Sequence, residues 1–246
     1  MSAEHFVAAG GTCEVFCAID AATARKVALK KLLPRWNAHP TMIARLTNEA
    51  ALIGPIDHPN VCRIFEYAVL EGRHTLIMEF IDGESLAARL GRSGPPGVEA
   101  AVSLGGQICA GVEALHSAGV LHRDLKPENV LIAAGDVPKL IDFGSAERIG
   151  AAATAGATIG TPAYMAPEQR ATGETSIGSD VYSLGMVLFE LLTGRRFDSA
   201  PSRSEIAEDR RRLVDAIAEA ALAHRPEQRA ASAGAIAAVL RRFTNN

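Results

Sequence analysis

"LHRDLKPENVLI", residues 121–132, carries the strongest signal in the chain. Asp124 and Asn129 stand five apart, with Lys126 and Pro127 between them. "LIDFGSA" (140–146) follows and supplies a second acid, Asp142; farther on comes "GTPAYMAPE" (160–168). Upstream, "VALK" (27–30) ends a strand-like run in Lys30, and Glu49 falls within a helix-like one. Any one of these short strings could arise by chance, but the ordered series could not.

Around that centre the sequence divides in two. "EVFCAID" and "KVALKKLL" read as strands joined by the turn-like "DAATAR". "TMIARLTNEAALIG" places Ile43, Leu46, Ala50 and Ile53 at helical spacing and closes at Gly54-Pro55. "VCRIFEYAVLEGRHTLIMEFI" reads as two strands about the turn "EGRH". After "DGESLAARL" the pattern becomes helical: "GVEAAVSLGGQICAGVEALHSAG" carries Val102, Ile108, Val112 and Leu115 on one period and ends at Gly119. "VLIAAGDVPKLIDFG" reads as a hairpin, and helices dominate from Ser179 onward. The expectation is an α+β fold in one domain, 1–246: a small strand-rich lobe with one helix (about 1–80), a hinge (about 80–83) and a larger helical lobe (about 84–246). A ligand is expected in the cleft between the lobes.

Composition narrows the partners. The chain has 246 residues, 48% of them hydrophobic, which is ample for such a core. A net charge of -3 argues against nucleic acid or an anionic membrane as partner. "EDRRR" (208–212) reads as a solvated helix face. Cys13, Cys17, Cys62 and Cys109 are scattered without metal-ligand spacing, which fits free thiols in a reducing compartment. "MSAEHFVAAGG" lacks the form of a signal peptide, and "VYSLGMVLFELL" (181–192), read as the longest apolar helix, is too short to span a bilayer. A cytoplasmic protein is therefore expected.

Phosphoryl transfer to a hydroxyl needs a carboxylate to orient the hydroxyl, oxygen ligands for magnesium, and a cation at the transferring group. The series of motifs supplies these in order, and on them the chain resembles the eukaryotic-type Ser/Thr protein kinases of bacteria from about Val7 to Phe243. The resemblance implies a bilobal kinase-like fold that uses ATP with Mg2+ or Mn2+ and phosphorylates protein Ser/Thr hydroxyls, its own included. It implies Asp124 as base, Lys126 on the γ-phosphate, Asn129 and Asp142 as metal ligands, and Lys30 on the α/β-phosphates paired with Glu49. Met78 would be the gatekeeper, the backbone of Glu79 and Ile81 would bond adenine, and Val15, Ala28 and Leu131 would enclose its ring. Ile53, Ile64, His122 and Phe143 would stack as a spine anchored by Asp180, and Glu168 would pair with Arg229. Lys126 together with Thr161 is the Ser/Thr rather than the Tyr pattern. Arg123 would meet a phosphate on the segment 145–168, with Thr154, Thr158 and Thr161 the residues singled out there. A regulatory partner or a dimer is compatible with the reading.

Two departures stand out. The phosphate loop of the family reads G-x-G-x-x-G-x-V, and its three glycine slots here hold Ala8, Gly10 and Cys13, with Gly11 beside them. Weakened but retained ATP affinity is expected, with the Cys13 thiol beside the phosphates. Between "LLTGRRFD" and "LVDAIAEAAL" there is less sequence than the family has, so a docking helix is expected to be short or missing. The alternatives are a pseudokinase, holding nucleotide or only the fold, and, against "GTPAYMAPE", a small-molecule phosphotransferase.

Overall fold

The computed structural model describes residues 2–151, 160–197 and 202–243. The chain divides into two units, Met1–Asp82 and Gly83–Asn246. The first is an antiparallel sheet with one helix. Its strands are β1 (Ser2–Ala9), β2 (Cys13–Ile19), β3 (Lys26–Leu32), β4 (Ile64–Leu70) and β5 (Arg73–Glu79), in the order β1-β2-β3-β5-β4. Alternation puts Val27 and Leu29 of β3 with Ala18 and Ile77 in an apolar cluster on one face, edged by Phe16, Ala68 and Leu70. Lys30 therefore points to the other face.

Turn chemistry sets the register. In the 20–25 turn the Asp20 carboxylate accepts from the Ala22 N–H and the Thr23 hydroxyl. Between β4 and β5, Glu71 and Gly72 both have positive φ, as a two-residue hairpin of right-handed twist requires. The helix α1 (Pro40–Ile53) starts with proline in its first turn and buries Leu46, Glu49, Leu52 and Ile53. The expected stripe of Ile43, Leu46, Ala50 and Ile53 is thus rotated: Ile43 and Ala50 are half-buried, and the carboxylate of Glu49 goes inside.

The second unit begins with β6 (Gly83–Ser85), which joins β8 (Val130–Ala133) and β9 (Val137–Leu140) in the order β6-β8-β9. Strands β7 (Val120–Leu121) and β10 (Glu147–Arg148) form a second, two-stranded sheet. The helices are α2 (Leu86–Ser93), α3 (Val98–Ser117), α4 (Pro167–Thr172), α5 (Ile177–Thr193), α6 (Glu208–Ala221) and α7 (Ala233–Arg241). Ser85, Ser176 and Ser232 cap α2, α5 and α7 by accepting from backbone N–H groups of the first turn. α5 is buried on nearly all sides, and a Cβ on its Gly185 would lie 2.5 Å from that of Ala221, so glycine is what lets α6 approach.

It is α3, not the 181–192 segment, that has the length and hydropathy of a membrane span. Half of that window is buried, and α3 packs against α5, α7 and β9, the setting of a core helix. Between α5 and α6 the described residues include the 3-10 turn Arg203–Glu205.

Candidate active site

In the first unit, the Lys30 Nζ lies 2.8 and 2.9 Å from the two carboxylate oxygens of Glu49. Their side chains are 13% and 3% exposed, so each cation–anion bond is shielded from water and stronger than a surface pair. β-pairing sets Lys30 between Val15 and Leu76, and Ala28 between Cys17 and Met78. Ala28 is buried, while Val15, Met78, Glu79 and Ile81 are half-buried. The Glu79 N–H is bonded to Arg63 O, and its carbonyl takes a weak contact from the Cys62 thiol at 3.8 Å.

The turn between β1 and β2 holds Gly10 and Gly11, closed by the Gly10 N–H on Cys13 O at 2.8 Å. Neither glycine has positive φ, and a Cβ on Gly11 would meet nothing within 4 Å. The loop's shape thus does not depend on glycine's conformational range. Cys13 is only 7% exposed and begins β2, its sulfur accepting from the Thr12 hydroxyl at 3.7 Å. It is packed into the strand, which accounts for a side chain being accommodated there and gives the thiol no open surface.

In the second unit, β7 leads into residues 122–129. Asp124 is held on both oxygens: Oδ1 accepts from the Thr161 hydroxyl (2.8 Å), and Oδ2 from Lys126 Nζ (2.8 Å) and Asn129 Nδ2 (3.2 Å). Lys126 also donates to the Thr161 hydroxyl at 2.7 Å, and Asn129 Nδ2 to Asp124 O at 2.9 Å. Three residues thus converge on one carboxylate, Lys126 and Asn129 from the same loop and Thr161 from 37 residues downstream. With Nδ2 so engaged, Asn129 Oδ1 is left as its acceptor. The Ile141 N–H donates to Asn129 O at 3.0 Å, which brings the exposed Asp142 next in line after a residue tied to Asn129. Two hard oxygen donors of this kind fit Mg2+. Leu131 on β8 is half-buried.

Beneath this loop lies Asp180, 1% exposed. It accepts from the backbone N–H of His122 (2.8 Å) and of Arg123 (2.9 Å), and its Oδ2 is 2.9 Å from His116 Nε2. Burial works against its charge, but the His116 bond, the nearby imidazoles and the amide more than offset it, so the carboxyl stays below its ordinary range. Burial pushes the His122 imidazole below its usual value against the pull of Asp180, Asp124 and Asp142, so it is neutral. Its ring lies 5.2 Å from that of Phe143.

A family comparison agrees with this arrangement: the protein kinase domain model matches residues 2–240. The chain belongs to the protein kinase family. Similar proteins include the serine/threonine-protein kinases PknD of Mycobacterium tuberculosis (35% identical over 93% of this chain and 37% of the relative) and PknH of Mycobacterium bovis (35%, 93% and 41%). PknE of Mycobacterium tuberculosis is 38% identical over 77% of this chain and 34% of its own length. The kinase domain thus spans well under half the length of these relatives.

Within the kinase, Glu168 and Arg229 form a bidentate pair at 2.7 and 2.8 Å. The remaining Arg229 bonds go to Ala223 O, Gly178 O and His224 O, and its guanidinium lies 4.9 Å from the Tyr182 ring centroid. Gly160 of "GTPAY" has φ +119, and a Cβ there would lie 2.7 Å from Arg123 O, so only glycine lets this segment reach the 122–129 loop.

Arg123 and Asp142 both adopt left-handed backbone conformations, uncommon for non-glycine residues and concentrated at functional sites. The Arg123 guanidinium is engaged by Glu147 and donates to Ser145 O at 2.6 Å. Thr154 and Thr158, its expected phosphorylated partners, lie outside the described residues. Sequence reasoning passed over Glu147 and His116. The signal for each was weak, one acid five residues past Asp142 and one histidine near a helix end.

Proposed function

We propose that this kinase domain transfers the γ-phosphoryl group of ATP to Ser or Thr hydroxyls of proteins, itself included. The observation that carries the reading is the convergence of Lys126, Asn129 and Thr161 on Asp124. Asp124, oriented by donors on both oxygens, aligns the substrate hydroxyl and takes its proton. Lys126 Nζ has a further N–H for an oxygen of the transferring phosphoryl group. Lys30, steadied by Glu49, holds the α/β-phosphates. Asn129 Oδ1 and the Asp142 carboxylate hold Mg2+ or Mn2+, which supplies charge neutralisation at the phosphate oxygens. Gly10 and Gly11 lie over the phosphates; Met78, the Glu79 and Ile81 backbone, Val15 and Ala28 serve the adenine, as does Leu131 by the same resemblance. Residues 1–246 form one kinase domain, with the two units as its lobes and a hinge at about 80–83.

The names of the relatives and the pairing of Lys126 with Thr161 support Ser/Thr specificity. The near-neutral charge supports a protein partner rather than nucleic acid or a membrane surface, and four cysteines without a disulfide among the described residues support a cytoplasmic setting; a regulatory partner or dimer is compatible with the reading. Arg123 is the proposed phosphate receptor for Thr154 or Thr158, and a phosphate there has to take the guanidinium from Glu147. Phosphopeptide mapping of active protein that finds both threonines bare removes that role.

The test is transfer of labelled γ-phosphate from Mg-ATP to the chain and to a generic basic protein. Asp124→Asn is expected to lower transfer by about 10²- to 10⁴-fold. Absence of transfer by the unmodified chain, with Mg-ATP binding seen by calorimetry, would establish the pseudokinase instead.

A further inference from the structure

The turn after β3, Pro34–Trp36, reaches back to the loop between β1 and β2. Arg35 Nη2 and Trp36 Nε1 both donate to Gly11 O, at 3.0 and 3.1 Å. The Leu33 N–H donates to Thr12 O at 2.9 Å. Two consecutive loop carbonyls are thus drawn toward residues 33–36. The turn is itself anchored: Asn37 Nδ2 donates to Gly72 O (2.6 Å), and its Oδ1 accepts from the His74 N–H (2.8 Å). The Arg35 guanidinium also lies 5.8 Å from the Trp36 ring centroid, which keeps the two donors together.

A trans peptide is planar, with C=O and N–H antiparallel. Gly11 O has two lone pairs, and both are taken from the side of the turn. The Thr12 N–H on the same peptide unit must then face the other way. With the Gly10 N–H already bonded to Cys13 O, the amide of Thr12 becomes a principal donor this loop can present to an anion.

We propose that Arg35 and Trp36 are positioning residues for the nucleotide: they latch Gly11 O so that the Thr12 N–H is presented to the ATP phosphates. The latch orients the loop's peptide where two of the family's three glycine slots hold Ala8 and Cys13. This rests on the reading above that the loop covers the phosphates of ATP.

The experiment uses the whole chain and Mg-ATP. Calorimetric affinity is measured for the unmodified protein, Arg35→Ala, Trp36→Phe and the double variant. Each single change is expected to weaken Mg-ATP binding by about 2- to 10-fold, the worth of one hydrogen bond, and the double change more than either. KM for ATP should rise in parallel, with kcat at saturating ATP altered by less than about 2-fold. Arg35 is exposed, so its variant should unfold at the same temperature as the parent. Trp36 is the only tryptophan in the chain, and its emission should change on adding Mg-ATP, less so in Arg35→Ala.

Unaltered affinity in the double variant, or tryptophan emission indifferent to Mg-ATP that calorimetry shows to be bound, overturns the latch alone. Failure of the unmodified chain to bind Mg-ATP overturns the nucleotide reading, and the latch with it.

Discussion

Residues Gly10–Thr12 and residues His122–Asn129 are both short connections that carry candidate chemistry, and the protein holds them by different means. The first is tied down by hydrogen bonds at the surface, from Arg35, Trp36 and the Leu33 amide. The second hangs from Asp180, a carboxylate 1% exposed that accepts from two backbone amides of the loop. Exposed bonds compete with water and contribute little each; buried bonds to a charge contribute more and are costly to leave half-made. The difference implies that residues Gly10–Thr12 are held by ties that water can replace, and residues His122–Asn129 by an anchor that it cannot reach.

Breaking the buried anchor should have the largest effect. Asp180→Ala leaves the His122 and Arg123 amides and His116 Nε2 without their acceptor, and a loss of about 3–5 kcal/mol in stability is expected. Denaturant unfolding measures it; a loss below about 1 kcal/mol would remove the contrast between the two loops. Next comes Lys30→Met, which removes the ammonium paired with the buried Glu49 carboxylate. About 2–4 kcal/mol is expected, together with loss of phosphoryl transfer. Stability and activity measured on the same preparation separate the two.

A pH titration sharpens the comparison further. His122 has a folded pKa below its ordinary 6.5, so below that pH the unfolded chain binds a proton that the folded chain refuses. Stability therefore falls as pH drops below about 6.5. Asp180, also depressed, adds stability at neutral pH that is lost only at lower pH, as the carboxyl protonates. His122→Phe, which keeps a ring against Phe143, should flatten the slope between about pH 6.5 and 5. An unchanged slope would show that His122 does not carry it.

The smallest effect is expected in the first unit's surface network. Arg73 bridges Leu32 O and the Glu14 carboxylate, with side chains about a quarter exposed. Arg73→Ala should cost about 0.5–1 kcal/mol, read by thermal unfolding. A cost matching that of Asp180→Ala would erase the distinction between surface and buried anchoring.

The order of strands and helices was legible because hydrophobic period and turn residues are local properties. β-branched runs bounded by "DAATAR" and "EGRH" became β2 to β5, and the apolar period of 98–117 became α3. The family was legible too, because Lys30, Glu49, Asp124, Lys126, Asn129 and Asp142 stand in the order of the protein kinase motifs, and the protein kinase domain matches residues 2–240. Even so, the α1 stripe was misaligned, since a carboxylate counts as polar until a lysine from another strand meets it.

What depended on the tertiary structure was partnership. Nothing local in "EALHSAG" says that His116 meets Asp180, and nothing in "GSAERI" says that Glu147 holds Arg123. Nor does "LPRWNAH" say that its indole closes on the carbonyl of Gly11. Residue type and spacing set which groups can donate, accept or carry charge. Which of them meet, and which lose their water in doing so, is decided when distant segments pack, and the strength of each bond follows from that burial.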